Sequence, residues 1–222
     1  MFAYPLVWNY KKEIVYKLLD KIEYINNFFE TGELLISCFA KFKKCPNEFQ
    51  GDKEEGDGIV VGKNEKGDIS MIGFDSGINA YVFSTTTKNT DKMKSDFKAV
   101  GAIKINEPTQ FAIEIAKKLS FVSSGVEGYC DYIDSRIQWL KDNSDENKRF
   151  QKLDFKNDPN SYENFRTAGA DGSDLFLKSK SYEYQSEYRL IWFTDERKKI
   201  KESVVIYCPE AIKYCEKIIF KL

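Results

Sequence analysis

Residues 182–193 read YEYQSEYRLIWF, a polar stretch that runs directly into a strongly apolar one. The aromatic and branched residues at its end predict a β-strand, and successive side chains of a strand point to opposite faces. One face would carry the polar residues Glu183, Gln185, Glu187 and Arg189, and the other Tyr188, Leu190 and Trp192. The polar face would be a solvent-facing surface, the lining of a site or the location of a structural ion pair.

Apolar runs typical of strands recur on both sides of this stretch. Further strands are predicted at 2–8, 34–42, 59–62, 69–74, 81–86, 99–105, 125–132, 175–180, 204–208 and 217–222. Helical spacing predicts helices at 11–29, 109–119, 134–141 and 210–215. Gly32 is expected to end the first helix, and Thr109 to cap the second.

The predicted strands outnumber the helices, and most are joined by short loops. We therefore expect residues 1–222 to form a single α+β domain, with a twisted, largely antiparallel sheet packed by a few helices. The region 142–173 is polar and rich in Asn and Asp, and it is predicted to be an irregular insertion. A long irregular connection of this kind is typical of a functional or mobile loop.

The composition narrows the possible chemistry. The chain has 222 residues with 34 basic and 35 acidic side chains, and the net charge of −1 excludes a strongly basic nucleic-acid coat. The absence of histidine excludes His acid–base catalysis and His metal sites. No phosphate-binding glycine loop occurs. The five cysteines have no C-x-x-C spacing, so we expect no metal and free thiols, buried at Cys38, Cys130 and Cys208.

The start of the chain, MFAYPLVW, lacks the basic and long apolar regions of a signal peptide. The longest apolar runs are also much shorter than a membrane span requires. We therefore expect a cytoplasmic protein without a membrane partner.

The segment KSKSYEYQSEYRL, residues 178–190, resembles the late signature of an uncharacterised bacterial family, domain of unknown function 2971. Other pieces of the chain follow in the family's order. They are Tyr4 on an opening strand, the set Gly32, Leu34 and Ser37, the polar loop residues Asn47, Glu48, Asp52 and Glu55, and the strand end Phe83-Ser84. The resemblance spans most of the chain and implies a bacterial protein without implying an activity.

The hydroxyl run Ser84-Thr85-Thr86, followed later by Gln185-Ser186-Glu187, is similar to motifs of the ADP-ribosyltransferase superfamily. This resemblance implies that Glu187, Gln185 and Arg189 are catalytic and that Ser84, Thr85, Thr86 and Tyr4 bind the cofactor. Glu187 would bind the ribose 2′-hydroxyl of NAD, the co-substrate, and stabilise the oxocarbenium-like transition state as nicotinamide leaves. The expected context is a bacterial toxin or phage-defence system. β-Branched residues that simply finish a strand are the other interpretation of the hydroxyl run.

A second hypothesis comes from the absence of most standard catalytic sets. The chain would then be a non-enzymatic recognition module that binds a protein or nucleic-acid partner. Lysines and aromatic residues alternate at 41–44 and 148–150, a pattern that stacking and phosphate contacts use. The same alternation is typical of any amphipathic strand in a lysine-rich protein.

Overall fold

The computed structural model describes residues 13–45, 56–63, 67–142, 144–152, 157–158, 160–161, 173–194 and 198–220. The strands in these ranges are β1 (Val15–Leu19), β2 (Glu33–Cys38), β3 (Asp57–Lys63), β4 (Ile69–Asp75), β5 (Ala80–Thr86), β6 (Gly101–Ile105), β7 (Val122–Tyr129), β8 (Asp131–Ile133), β9 (Ile137–Trp139), β10 (Leu177–Ser179), β11 (Glu187–Thr194), β12 (Val204–Tyr207) and β13 (Cys215–Ile219). The α-helices are α1 (Ile22–Thr31), α2 (Phe39–Phe42), α3 (Asp91–Asp96), α4 (Pro108–Lys118) and α5 (Asp145–Gln151). Short 3-10 helices cover Ser173–Phe176, Lys180–Gln185 and Pro209–Tyr214.

The main sheet is built around β5. Strands β11 and then β7 extend the sheet from one edge of β5, and the opposite edge carries both β1 and β2. Beyond these, β1 pairs with β6 and β13 follows, while β2 pairs with β12. Each of these pairings is antiparallel, which confirms the predicted α+β class with a largely antiparallel sheet. Two smaller sheets, β4-β3-β9 and β10-β8, flank it.

The main sheet forks at β5. Tyr16 of β1 lies opposite Thr86 at the end of β5, whereas Ser37 of β2 lies opposite Val82 nearer its start. Residues 83–85, between these positions, have no ladder partner on this edge among the described strands. The two branches separate because β1 continues along β6 and β2 continues along β12. The fork leaves a gap in the sheet, and this gap is where the site lies.

One face of the main sheet packs on helices α1 and α4. Trp192 is fully buried there, and its indole N–H donates to the Ala112 carbonyl at 3.0 Å. The predicted apolar face of the 187–193 strand is confirmed, since Tyr188, Leu190 and Trp192 lie in the same cluster. The helices contribute Phe28, Phe111, Ala112 and Ile115 to this cluster.

The opposite face is apolar at one end and polar at the other. Phe39, Val82, Leu175 and Ile191 form a small buried cluster near the start of β5. Towards the end of β5 the same face carries the hydroxyl side chains of Ser84 and Thr86 and, on β11, the charged side chains of Glu187 and Arg189.

The predicted helix over 11–29 is wrong in its first half. Residues 15–19 form β1, and helix α1 begins only at Ile22. A strand that is half-buried on both faces places apolar residues at spacings that also fit a helix. The β-branched Val15 favours the strand once β5 and β6 supply partners on both sides.

Two further local predictions are wrong. The helix expected at 134–141 is absent, and Ile137–Trp139 instead form β9, which runs parallel to β3. Thr109 does not cap α4, because Glu107 occupies the N-cap and Pro108 takes the first helical turn, a position that suits proline. The Thr109 hydroxyl donates instead to the buried Glu127 carboxylate.

Other predictions are confirmed. Gly32 ends α1 in the left-handed conformation, with a φ of 77°, and donates to the Phe28 carbonyl. The five cysteines are free thiols, with Cys38, Cys130 and Cys208 buried. The strand predicted at 2–8 lies outside the described residues. Helix α5 lies within the region 142–173. Most of the rest of that region lies outside the described residues. Searching the described helices finds none that is both long and apolar enough to cross a bilayer.

Candidate functional site

A cavity of about 790 Å³ fills the fork between β1 and β2, and we call it the cleft. Its floor is the unpaired stretch of β5, residues 83–85, and its sides are β1 and β2. We call the polar part of the lining, where hydrogen bonds connect neighbouring residues, the inner end; it is formed by Lys17, Ser84, Thr86, Lys178, Gln185 and Glu187. The rest of the lining mixes apolar side chains, among them Leu34, Leu35, Phe42, Phe97 and Val205, with the charged side chains of Asp20, Glu33, Lys41 and Lys44. The cleft has the size and the mixed lining of a small-molecule site.

Glu187, the first residue of β11, lies at the inner end of the cleft. Its Oε1 accepts a hydrogen bond from Arg189 Nε at 2.7 Å, and its Oε2 accepts one from Lys178 Nζ. The side chains of Lys178 and Arg189 are themselves 7% and 0% exposed. We call Lys178, Glu187 and Arg189 the charge cluster. It holds one buried carboxylate in a fixed orientation between two buried cations.

The backbone around Glu187 is also anchored. Its N–H donates to the Tyr132 hydroxyl at 2.7 Å, and its carbonyl accepts from the Cys130 N–H at 3.0 Å. Burial raises the pKa of Tyr132, so this phenol stays protonated and neutral. Glu187 is therefore held by its main chain as well as by its carboxylate, which is the rigidity that a positioned catalytic or binding group needs.

The charge cluster keeps Glu187 ionised. Burial alone would raise the pKa of this carboxyl, but the charges of Arg189 and Lys178 and the hydrogen bonds they donate hold it well below the usual range of a glutamate. At neutral pH the cleft thus contains a permanent negative charge at Glu187.

Gln185 contacts the charge cluster, but it does so from a 3-10 helix and not from the predicted strand. The strand begins at Glu187, and residues Lys180–Gln185 form a 3-10 helix, so the prediction that Glu183 and Gln185 extend the polar face of the strand is wrong. Ser186 turns the chain with a φ of 44° between the two elements. Gln185 is nevertheless buried, and its Oε1 accepts from Lys178 Nζ at 2.8 Å. Glu183 is exposed.

The side chains of the hydroxyl run Ser84-Thr85-Thr86 alternate between the two faces of β5. Thr86 lies opposite Glu187 and Ser84 lies opposite Arg189 in the register with β11, so both share the face of the charge cluster. The Thr86 hydroxyl lies 2.7 Å from the Gln185 carbonyl. The Thr85 hydroxyl donates to the Tyr188 carbonyl at 2.7 Å. The Ser84 hydroxyl is buried and has no hydrogen-bond partner within the described residues.

Lys17 on β1 is a part of the cleft that the sequence analysis missed. Its Nζ donates to the Ser84 carbonyl at 3.0 Å and lies 4.7 Å from the centre of the Phe83 ring. Burial lowers the pKa of Lys17 to about 8, and the Glu187 carboxylate opposes this effect only in part. No carboxylate of the described chain forms an ion pair with it. The sequence did not indicate this residue, because the incorrectly predicted helix over 11–29 placed Lys17 on a solvated helix face.

The structure thus brings together most of the residues that the sequence analysis selected. Glu187, Gln185, Ser84 and Thr86 meet at the inner end of the cleft, and Arg189 contacts Glu187 from a fully buried position that does not line the cleft. Thr85 lines the floor of the cleft, but its hydroxyl is bound to the neighbouring strand. Tyr4 lies outside the described residues, as do the polar loop positions 47, 48, 52 and 55.

Lys178 was the second residue that the sequence analysis did not select. It lies on the three-residue strand β10, which pairs in parallel with β8. A signal for it was present, because Lys178 is the first residue of the quoted segment KSKSYEYQSEYRL.

Comparisons of this chain with protein-family models, with curated proteins and with solved structures give no match. The functional interpretation therefore depends on the geometry and chemistry of the cleft.

Proposed function

We propose that the cleft binds NAD and cleaves its bond between nicotinamide and ribose, transferring ADP-ribose to water or to another acceptor. The observation that carries the proposal is Glu187, a buried and ionised carboxylate fixed in the wall of a cavity of about 790 Å³. Such a group supports chemistry in which positive charge develops on the substrate.

Cleavage of this bond develops positive charge on the ribose as neutral nicotinamide leaves with the bonding electrons. A carboxylate fixed nearby stabilises that charge without reorganising, and the effect is strongest where water is excluded. Glu187 meets this requirement, because Lys178 and Arg189 hold its two oxygens in place. The chemistry needs no histidine, which suits a chain that has none.

The remaining polar groups suit the rest of a dinucleotide. Four lysines, Lys17, Lys41, Lys44 and Lys178, line the cleft against the three carboxylates of Asp20, Glu33 and Glu187, and Arg189 adds a buried positive charge beside Glu187. An excess of positive charge favours an anionic ligand such as a pyrophosphate. The Ser84 hydroxyl would gain, in a ligand hydroxyl or amide, the hydrogen-bond partner that the described protein does not provide.

Thermal-shift titrations with NAD and with ADP-ribose test the binding step. We expect both ligands to raise the melting temperature of the wild type in a concentration-dependent manner. S84A should keep the unliganded melting temperature and lose much of the shift, because Ser84 Oγ has no described protein partner to lose. T85V is the matched control on the same strand, and its ligand shift should remain.

The proposal fails if neither ligand shifts the wild type. A stable complex with a captured protein or nucleic acid, together with no effect of NAD, would support the recognition-module hypothesis instead.

A further inference from the structure

Lys17 has an environment unlike that of the surface lysines of this chain. It is half-buried in the wall of the cleft, and its Nζ is held between the Ser84 carbonyl at 3.0 Å and the face of the Phe83 ring. Neither neighbour is an anion, and within the described residues no carboxylate pairs with it. Lys104, on the adjacent strand β6, illustrates the contrast, since it forms an ion pair with Glu216 at 2.9 Å.

We propose that the Lys17 amine is a nucleophile that forms a reversible imine with a small aldehyde or ketone that also carries a phosphate or carboxylate group. This inference goes beyond NAD cleavage and does not depend on it. It rests on an amine that lines a cavity, lies against an aromatic ring and has no ion-pair partner in the described chain.

The surroundings favour the neutral form that such a reaction requires. Partial burial beside an aromatic ring disfavours a charged ammonium, and the pKa of Lys17 is lowered to about 8 for this reason. Lysines that act as imine-forming nucleophiles are activated in this way, by desolvation or by a neighbouring cation. At pH 8 about half of the Lys17 side chains would carry a free lone pair.

The step balances without a redox partner. The nitrogen lone pair of Lys17 attacks the carbonyl carbon, and the carbonyl π electrons move to oxygen, which takes up a proton. The nitrogen of the resulting carbinolamine loses its extra proton. The hydroxyl then takes up a proton and leaves as water, while the nitrogen lone pair forms the C=N bond of the protonated imine. Hydrolysis reverses the sequence and returns the free amine.

The charges of the cleft set the class of carbonyl compound. With Lys17 neutral, the lining lysines Lys41, Lys44 and Lys178 balance the lining carboxylates Asp20, Glu33 and Glu187, and the buried charge of Arg189 beside Glu187 leaves an excess of one positive charge. A phosphate or carboxylate on the ligand would therefore be attracted into the cleft, which raises the local concentration of the carbonyl beside Lys17.

Borohydride trapping tests the proposal with pyridoxal 5′-phosphate as the probe. The wild type is incubated with the probe at pH 8, sodium borohydride supplies the hydride that reduces the imine to a stable amine, and peptide mass spectrometry locates the label. We expect saturable labelling of Lys17 at least 10-fold faster than that of Lys104. K17R should lose this label, and the matched control K104R should keep it.

Two further measurements test whether the phosphate group of the probe contributes to labelling. Pyridoxal, which lacks the phosphate, should label Lys17 more slowly, and inorganic phosphate should compete with pyridoxal 5′-phosphate. Labelling of Lys17 that is no faster than that of Lys104, or that does not saturate, would overturn the proposal. None of these measurements depends on NAD turnover. The imine proposal can therefore fail while the NAD proposal holds, and the reverse is also true.

Discussion

Lys178 and Glu187 are nine positions apart in the chain and form an ion pair in which both side chains are less than a tenth exposed. Arg189 contacts the second oxygen of the same carboxylate. The charge cluster therefore connects three elements, which are strand β10, strand β11 and, through Gln185, the 3-10 helix between them. This arrangement orients Glu187, and it also makes the fold depend on Glu187.

Removing the Glu187 charge alone is expected to destabilise the fold, because E187Q takes away the carboxylate that accepts from both Lys178 and Arg189. Loss of one partner of a buried pair costs about 3–5 kcal/mol. The double variant E187Q/K178M restores the net charge of the cluster to that of the wild type and should recover part of this loss. Urea unfolding measures the three proteins. Equal stability of E187Q and the wild type would show that the charge cluster contributes nothing to the fold.

The charge cluster also predicts a response to acid. The pKa of Glu187 is lower in the folded protein than in the unfolded chain, so its contribution to stability is present above the unfolded pKa and is lost as pH falls through the folded value. We expect the free energy of unfolding to fall on acidification below about pH 5. The slope should be smaller in E187Q/K178M, and an unchanged slope would exclude Glu187 as its source.

For Glu127 we expect the opposite dependence of the free energy of unfolding on pH. Burial raises the pKa of this carboxyl, and the hydrogen bond from Thr109 opposes the shift only in part. The Glu127 Oε2 atom is buried without a hydrogen-bond partner in the described structure. The folded state therefore holds its proton more tightly than the unfolded chain, and stability is lost as pH rises through the folded value.

We expect E127Q to melt at a higher temperature than the wild type at pH 8, because high pH favours the charged carboxylate that burial disfavours. At pH 4 the difference should shrink, because the carboxyl is then protonated. Melting curves at the two pH values check this prediction, and a difference that is the same at both would contradict it.

Gly32 and Gly67 provide a matched pair for backbone effects. Both have left-handed φ angles, 77° and 84°. A Cβ at Gly32 would collide with the backbone at Cys208 and Pro209, whereas a Cβ at Gly67 would meet nothing within 4 Å.

We expect G67A to cost about 1–2 kcal/mol, the usual penalty of the left-handed conformation. G32A should cost more, because the backbone of the segment that follows β12 must also move. Denaturant unfolding of the two variants measures the difference. Equal costs would mean that the close approach at Gly32 is easily relieved.

The sequence predicts the central strand of the site well and its surroundings poorly. Polar and apolar side chains alternate over residues 187–190, so the two faces at the start of β11 can be assigned from the sequence. The proximity of Ser84 to Glu187 came from a resemblance, since strands about one hundred residues apart carry no local signal of their pairing. Lys17 could not be found, because its strand is half-buried on both faces and has apolar spacing that also fits a helix.

The position of Gln185 shows a second limit. Strand alternation correctly placed Gln185 near Glu187, but for the wrong reason, since a 3-10 helix and the left-handed Ser186 bring it there. Positive φ at a non-glycine residue has no reliable sequence signature. Predictions of a residue's position can therefore hold where predictions of its secondary structure do not.

The most direct test of the NAD proposal is the release of nicotinamide from NAD, measured by chromatography for the wild type, K178M and E187Q/K178M. The double variant has the net cluster charge of the wild type without the carboxylate, so it separates the effect of Glu187 from that of unbalanced charge. The account predicts release by the wild type above the protein-free rate, release at a reduced rate by K178M, and a loss of about 100-fold or more in the folded double variant. No release by the wild type, or equal release by the folded double variant, would contradict it.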